Sequence, residues 1–213
     1  MWIIRDDGQA GGRLPTFYKR FTTDGKLTKC EMKISALGIF RVKINGHEID
    51  EYFMPGWTNY NRYVHLCTYD VTKFIKKDNL IEITLAEGWY TGRLGYTRKD
   101  HVYGDVEALF AEITLFYKNG YQQVICTDAS WKVGDSNILS ASLFDGEKVD
   151  FSTPENTDIE ALPCAKEYDY QIEFRPYTYE ATKKVARIIP TVFYQEDGVI
   201  RLDFGIHTEQ QSF

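Results

Sequence analysis

Apolar and polar residues alternate along much of the first 130 positions of the chain. Ile81, Ile83 and Leu85, for example, are separated by Glu82 and Thr84. A period of two places every second side chain on the same face of a β-strand, so that one face can be buried. The same alternation predicts strands at 15–22, 27–36, 39–44, 79–86, 108–117 and 121–127.

Turn residues between these segments predict that neighbouring strands form hairpins. Asn45-Gly46 offers the two residues with positive φ that a tight type I′ turn requires, and Asn119-Gly120 is expected to form the turn of a second hairpin. Helical periodicity is almost absent, and a single short turn at 70–75 is the best helical segment. Short strands joined by such turns are typical of an all-β sandwich or jelly roll.

The chain after residue 150 divides into stretches of different composition. Residues 151–166 include two prolines and an asparagine and are expected to be irregular and exposed. Strands resume at 168–179, and a separate β pattern begins near Val185. About thirty residues are too few for an independent domain. We therefore expect three parts: a lead-in at 1–14, a sandwich domain at 15–180, and the truncated start of a second β domain at 181–213.

Composition and charge narrow the classes of function. Aromatic residues make up 15% of the chain, which favours half-buried strand surfaces and also suits ligands such as sugars. The formal net charge is −6 without a block of like charges, so we expect neither nucleic acid nor a membrane as partner. No apolar run approaches membrane-spanning length and no signal peptide is visible, which predicts a cytoplasmic protein.

The four cysteines, at positions 30, 67, 126 and 164, are too far apart in sequence for a Cys-x-x-Cys motif or a zinc knuckle. In a protein without a secretory signal, free thiols in the core are more frequent than disulfides. We therefore predict four buried thiols. Whether the chain binds a metal stays open.

An ordered series of aromatic and glycine-containing motifs occupies the central third of the chain. The turn at 45–46 is followed by FMPGWTNYNR at 53–62, TYDVT at 68–72 and GWYTG at 88–92. This series resembles the N-terminal domain of bacterial α-L-rhamnosidases, and the resemblance covers residues 15–180. Its further points are Tyr103-Gly104, the strand at 108–115, TDASW at 127–131, Asp145-Gly146-Glu147 and Asp150.

The end of the chain carries one more point of similarity. The segment RLDFG at 201–205 is similar to the DFGQN opening of the β domain that follows in these enzymes. The chain departs from that pattern at Ile206-His207. The similarity up to that position implies that the tail begins a second β domain.

The resemblance implies an all-β, jelly-roll-like (galactose-binding-like) β-sandwich with a short partial second β segment. It also implies an inverting glycosidase, in which an acid and a base lie about 6.5–9.5 Å apart on opposite sides of the sugar. In the family these carboxylates belong to a helical barrel C-terminal to this region. About twelve helices with their connections need roughly 190 residues, and this chain has almost no helical periodicity. No catalytic residue is therefore assigned, and the chain alone is predicted to be inactive.

Asp128, Glu147 and Asp150 are the acidic residues that a catalytic interpretation would use. Asp128 precedes Ala-Ser-Trp, and Glu147 follows an Asp-Gly pair, both of which are usual turn sequences. Aspartate at such positions accepts hydrogen bonds from the backbone of its own turn. We therefore interpret these carboxylates as turn and cap residues.

Two of the motifs contain side chains suited to sugar contact. A sugar stacks its C–H face on an aromatic ring, while Asn, Asp and Arg bind its hydroxyls. The candidate carbohydrate-binding residues are Trp57, Asn59, Tyr60, Trp89, Tyr90 and Arg93. Trp57 and Trp89 have an alternative interpretation as core residues that close the ends of the sandwich, which is favoured for each taken alone.

Jelly-roll domains of related rhamnosidases can bind rhamnose together with calcium, which takes oxygen ligands such as Asp and Asn. By resemblance, calcium binding is therefore open here, and no other cofactor is required. The resemblance implies an accessory region that supports a catalytic helical barrel domain and contacts a rhamnose-containing saccharide. Two alternatives remain open, a purely structural domain and a stand-alone lectin-like protein without activity.

Overall fold

The computed structural model of the chain describes residues 1–6, 13–152 and 156–205. The chain divides into two compact units, one comprising Met1–Thr182 and one that begins at Lys183. The departure from the family pattern at Ile206-His207 lies outside the described residues.

Strands dominate the first unit. The first eight are β1 (Trp2–Ile4), β2 (Pro15–Thr22), β3 (Leu27–Leu37), β4 (Ile39–Ile44), β5 (His47–Glu48), β6 (Tyr63–Asp70), β7 (Asp78–Ala86) and β8 (Ala108–Tyr117). The next six are β9 (Gln122–Cys126), β10 (Lys132–Asp135), β11 (Ile138–Ser142), β12 (Gly146–Val149), β13 (Lys166–Tyr168) and β14 (Glu173–Pro176). Helical structure in the described residues is confined to two 3-10 turns, at Thr72–Phe74 and Ile159–Ala161.

These strands form two main sheets. The larger has the order β13-β1-β8-β3-β6-β14, and β9 also pairs with β8. The smaller has the order β10-β2-β7-β4-β5, while β11 and β12 form a separate hairpin. The pairing of β14 with β6 is parallel, whereas the other pairs are antiparallel. An all-β sandwich is therefore confirmed.

The inward faces of both sheets contribute to one apolar core. Ile81, Ile83 and Leu85 of β7, which define the period-two pattern in the sequence, are fully buried. Full burial of such an aliphatic side chain contributes about 1.5–3 kcal/mol. Trp131 is also fully buried, and its Nε1 donates a hydrogen bond to the carbonyl oxygen of Cys126 at 2.9 Å. The alternation of apolar and polar residues along the strands therefore shows which face of each strand is buried in this core.

A second apolar cluster lies on the opposite face of the larger sheet. Phe110 belongs to it, whereas its neighbours Leu109 and Ala111 on β8 belong to the first core. Its aromatic centre is formed by Trp2, Phe110 and Phe174, with Trp2 stacked on Phe174 at a centroid distance of 5.6 Å. Trp2 thus anchors β1, in the segment expected to be a lead-in, to the larger sheet.

β6 is a central strand that the alternating pattern does not predict. It lies between β3 and β14, and both faces carry buried residues. Val64 packs in the second cluster and Cys67 in the first core, while the intervening His65 is also buried. A strand that is buried on both faces shows no alternation of apolar and polar residues. The buried His65 also interrupts the continuous apolar run that would otherwise indicate such a strand.

Both predicted hairpins are present in the structure, but their turns differ. Asn45 and Gly46 both have positive φ, as predicted for the turn between β4 and β5. The hairpin predicted at 119–120 is confirmed, because β8 pairs with β9, and only Gly120 has positive φ in its turn. Its amide donates to the carbonyl of Tyr117 at 3.0 Å, which is the geometry of a type I turn followed by a left-handed glycine.

The four cysteines are free, but they are not all buried. Cys30 and Cys67 lie in the core, and burial raises the pKa of each thiol to about 12. The prediction is wrong for Cys126 and Cys164, which are exposed. Cys126 ends the edge strand β9, where its neighbour Ile125 faces the core, and Cys164 lies in the irregular segment before β13.

The second unit contains one antiparallel hairpin, β15 (Val192–Glu196) with β16 (Val199–Asp203). Asp197 and Gly198 both have positive φ, which forms the tight turn between the strands. Every residue of both strands is exposed. This hairpin therefore has a defined turn and strand register, but neither of its faces is buried.

Candidate functional site

Two connections carry the residues that the sequence selects for sugar contact. The first loop, residues 53–62, is the part of the connection between β5 and β6 that leads into β6, and the second loop, residues 87–107, connects β7 to β8. The rings of Tyr60, Tyr90 and Tyr103 meet between them. The fold therefore brings the two motifs together even though about thirty residues separate them in sequence.

The first loop begins with a tight turn. The amide of Gly56 donates to the carbonyl of Phe53 at 2.9 Å, and both residues have positive φ. The carbonyl of Met54 accepts from the amide of Phe40, which attaches the turn to the start of β4. This turn leaves Trp57 with 60% of its surface exposed.

The second loop depends on close contacts at two glycines. A Cβ atom at Gly92 would overlap the carbonyl oxygen of Gly88, and one at Gly104 would overlap the ring of Tyr90. The amide of Thr91 donates to the carbonyl of Glu87 at 3.3 Å, so the backbone of the GWYTG motif turns back on the residue that precedes the motif. The glycines in this motif allow the backbone and the Tyr90 ring to pack closely.

Tyr60 and Tyr90 are core residues of the two loops. Their rings meet edge to face at 5.2 Å, and Tyr60 contacts Tyr103 at 5.1 Å. The hydroxyl of Tyr60 donates to the carbonyl of Gly56 at 3.1 Å. Both residues are buried, and burial raises the pKa of each phenol. Their ring faces are covered by neighbours, so the expected sugar-contact surface narrows to the remaining four candidates.

Trp57 and Trp89 lie in different environments. Trp57 is exposed, so the interpretation of this residue as a core side chain does not hold. Trp89 is partly buried and packs against the second apolar cluster. Trp57 therefore offers the more accessible aromatic face of the two.

Asn59 is an exposed residue with defined local contacts. Its carbonyl accepts hydrogen bonds from the amides of Arg62 and Tyr63, at 2.9 and 3.2 Å. Its side-chain Oδ1 accepts from the amide of Asn61 at 3.2 Å. Asn59 therefore holds the turn that follows Trp57 and leads into β6.

Arg93 connects the second loop to the β11–β12 hairpin. Its Nη1 donates to Oδ2 of Asp145 at 2.7 Å, and its Nε lies 3.4 Å from Oδ1 of Asp100. The guanidinium of Arg98 lies over the ring of Phe144 at 5.5 Å, beside the same contact. The Arg93 guanidinium is therefore already paired with two carboxylates, which favours a role for Arg93 in positioning the second loop.

Glu107 is a titratable residue of the second loop that sequence reasoning missed. Its Oε1 accepts a hydrogen bond from the hydroxyl of Thr91 at 3.4 Å. Burial raises the pKa of the Glu107 carboxyl to about 7, while the Thr91 hydrogen bond opposes the shift and nearby Glu87 adds to it. A glutamate just before a strand carries no sequence signal of such an environment.

The three acidic residues weighed for catalysis lie in ordinary surroundings. Asp128 accepts from the amide of Ser130 at 2.8 Å, and Asp150 accepts from the amide of Ser152 at 3.0 Å, as turn residues do. Glu147 is exposed on β12. No set of three or more His, Cys, Asp or Glu side chains within the described ranges is arranged to hold a metal ion.

The geometry defines a β-sandwich domain with two interlocked loops and, in the part of the chain that is described, no helical layer. That part contains no helix long and apolar enough to span a membrane. The chain matches the family model of the alpha-L-rhamnosidase N-terminal domain over residues 25–184. It therefore belongs to this family.

The relatives and solved structures compared below are much longer than this chain. The α-L-rhamnosidase of Alteromonas sp. (strain LOR) is 30% identical over an alignment of 201 residues, which covers 87% of this chain and 22% of that protein. The Streptomyces avermitilis α-L-rhamnosidase is 32% identical over 127 residues, or 59% of this chain and 12% of that protein. The chain thus spans about a fifth or less of these relatives.

Solved structures also relate the chain to one part of longer α-L-rhamnosidases. The α-L-rhamnosidase from Aspergillus terreus superposes with a TM-score of 0.82 and 29% identity, over 96% of this chain and 25% of that one. The enzyme from Dictyoglumus thermophilum superposes with a TM-score of 0.80 and 26% identity, again over 96% of this chain and 25% of the other. The assignment to the rhamnosidase N-terminal domain is therefore confirmed by sequence and by fold.

Proposed function

We propose that this chain acts as the accessory N-terminal module of an α-L-rhamnosidase, supporting a catalytic helical barrel and contacting rhamnose-containing saccharides. The family match over residues 25–184 is the observation that carries this proposal. Inverting hydrolysis needs an acid and a base placed on opposite sides of the sugar. The helical structure of the described residues is limited to two 3-10 turns, so we place that pair in another part of the enzyme.

Sugar contact is supported best by the first loop. Trp57 presents an aromatic face to solvent, and the neighbouring Asn59 is exposed beside it. An exposed ring flanked by an amide is a common arrangement for contact with a sugar. Trp89 and Arg93 contribute secondarily, because the first is partly buried and the second is already ion-paired.

Titration calorimetry with L-rhamnose, with and without calcium, tests the sugar-binding part. L-Rhamnose is the appropriate probe because the Streptomyces avermitilis enzyme has been solved in complex with it. A monosaccharide with about eleven heavy atoms on a shallow surface should yield about 4–5 kcal/mol, or a Kd in the high micromolar to millimolar range. Trp57→Ala should abolish the heat, whereas Tyr121→Ala, which removes an equally exposed ring from a different turn, should not.

An activity assay tests the absence of catalysis. The purified chain should release no aglycone from an aryl α-L-rhamnoside above the buffer blank. Turnover that disappears when a carboxylate of this chain is replaced would contradict the accessory role.

A purely structural module is the second candidate, and specific observations favour it. Two of the six candidate residues, Tyr60 and Tyr90, are buried, and Arg93 is held by two carboxylates. If calorimetry shows no heat with L-rhamnose in either condition, support of the catalytic domain remains as the function.

A further inference from the structure

The outer face of the smaller sheet carries two rows of polar side chains. The strand register places Arg41, Thr84 and Thr16 side by side across β4, β7 and β2. Two residues along, it places Lys43, Glu82 and Tyr18 in the same way. All six line a small pocket that opens to solvent, here named the polar pocket. The alternation that buries Ile81, Ile83 and Leu85 is thus also what collects these polar groups on the opposite face.

Segments from elsewhere in the chain form the walls of the polar pocket. Residues 135–137, at the end of β10 and directly after it, line it on one side together with Asn156. The Nδ2 of Asn156 donates to the hydroxyl of Tyr18 at 2.9 Å and to the carbonyl of Asp135 at 2.8 Å. The amide of Asp150 donates to the carbonyl of Asn137 at 2.8 Å. The backbone of the wall is therefore held in place by hydrogen bonds.

The charges of the polar pocket cancel. Two cationic side chains of the lining, Arg41 and Lys43, are balanced by two carboxylates, Glu82 and Asp135. Two ion pairs with residues outside the lining keep this balance, since Arg5 pairs with Asp135 at 2.7 Å and Glu48 pairs with Arg41 at 3.8 Å. Neither an anion nor a cation gains net electrostatic attraction from such a set. Hydroxyl groups fit it better, because a hydroxyl donates to a carboxylate and accepts from an ammonium or amide group at the same time.

The polar pocket lacks an exposed aromatic face. Its one ring, Tyr18, is 5% exposed and is covered by neighbouring groups. The hydroxyls of Thr16 and Thr84 are hydrogen-bonded to one another at 2.9 Å on its floor. A ligand here is therefore held at its edge by hydrogen bonds and not by stacking, unlike a sugar on Trp57.

We propose that the polar pocket binds the hydroxyl groups of a neutral saccharide, at a second contact separate from the two loops. This inference does not depend on sugar binding by Trp57, because no residue of the first or second loop lines the pocket. Two separate contacts on one module would hold an extended saccharide more strongly than either alone.

Backbone amide NMR of the full chain, titrated with L-rhamnose, D-galactose and inorganic phosphate, tests this proposal. Either sugar should shift the amide signals of residues 41–43, 82–84 and 135–137, with a midpoint in the millimolar range. Phosphate should leave these signals unchanged.

A pair of variants gives the matched control. Lys43→Met removes a cationic donor paired across strands with Glu82, and should weaken sugar binding at these residues about tenfold. Lys33→Met removes an equivalent lysine, paired across strands with Glu112 on the larger sheet, and should have no effect. Asn137→Ala, which alters only a wall side chain, should also weaken the binding.

Further outcomes separate this site from the first loop. Trp57→Ala should leave the shifts at 41–43 and 82–84 intact, even if it removes those at 53–62. The proposal would be overturned if the sugars shifted only the signals of 53–62 and 87–107, or if phosphate alone shifted the signals of the polar pocket. It would also be overturned if no signal shifted at about 100 mM sugar.

Discussion

The four tryptophans of the chain span the whole range from burial to exposure. Trp131 is fully buried and Trp2 is 3% exposed, whereas Trp89 is partly buried and Trp57 is 60% exposed. The free energy that each ring contributes to folding depends on the apolar surface that it removes from water. The four should therefore differ strongly in their effect on stability.

Truncation of Trp131 should be far more costly than truncation of Trp57. Trp131→Ala leaves a cavity between the two sheets and should destabilise the protein by about 3–5 kcal/mol. For a protein of this size, that lowers the Tm by more than about 6 °C. Trp57→Ala should change the free energy of unfolding by less than about 0.5 kcal/mol. Thermal melts of the two variants check the contrast, and a large loss for Trp57→Ala would show that its ring packs against another part of the protein.

Glu107 should make the stability of the protein depend on pH. Its pKa is about 7 in the folded state, against about 4.3 in an unfolded chain. Between these values the folded state binds the extra proton, so the free energy of unfolding falls as the pH rises from about 4.5 to about 7. Glu107→Gln keeps a hydrogen-bond acceptor for Thr91 without the charge. Urea unfolding should show this variant to be more stable than the parent by about 1–3 kcal/mol at pH 8, and equal to it near pH 4.5.

Glu112→Gln is the control for this experiment. Glu112 lies on β8 and faces the ammonium of Lys33 at 3.5 Å across the strand pair. Loss of such a surface ion pair should cost less than about 1 kcal/mol and should not stabilise the protein at high pH. If Glu107→Gln behaves like this control at pH 8, the Glu107 carboxylate is not destabilised by burial.

At the scale of residues, the sequence indicates which side chains are suited to sugar contact better than it indicates which of them are buried. The motif around Trp57 and Tyr60 was identified from its aromatic and polar composition, but that composition does not state which ring is covered. Tyr60 is buried because the rings of Tyr90 and Tyr103 reach it from the second loop. That contact joins residues about thirty or more positions apart, and a local pattern contains no information about it.

At the scale of elements, the strands with one buried and one polar face are those that the sequence predicts best. β2, β4, β7 and β8 all show the alternation, and β2, β4 and β8 have the predicted bounds. β6 and β1 were not predicted, because β6 is buried on both faces and β1 has only three residues. The polar pocket was missed although its side chains belong to predicted strands, since strand order decides which polar faces lie together.

The β15–β16 hairpin is an element that its own contacts do not stabilise. All ten of its strand residues are exposed, and an isolated two-stranded hairpin is marginally stable in water. We therefore expect limited proteolysis to cut between Val185 and Asp203, while the strands of the sandwich remain intact. Mass spectrometry of the fragments identifies the sites. Equal resistance of the hairpin and of the sandwich would show that the hairpin is protected by additional contacts.

For the whole molecule, the order of the strands in the sheets is the property that the sequence predicts least well. The largest set of pairings joins β3 to β8, and β14 returns to pair in parallel with β6. Alternation fixes which face of a strand is buried, but not which strand lies beside it. The strand pattern and the resemblance of the ordered motifs both predict the sandwich, and the family match and the superposed structures agree with that prediction.

The stability of the whole chain should come from the unit that ends at Thr182. Both apolar clusters lie within it, whereas the described part of the second unit offers only exposed strands. A variant that stops after Thr182 should therefore keep the Tm of the main transition within about 2 °C and keep its urea m-value. A variant that stops after Ile172 is the control, because it lacks β14 and with it Phe174, which stacks on Trp2 at 5.6 Å. Loss of that strand should destabilise the sandwich by about 3 kcal/mol or more. If the two truncations proved equally harmful, the residues after Thr182 would have to contribute to the stability of the sandwich.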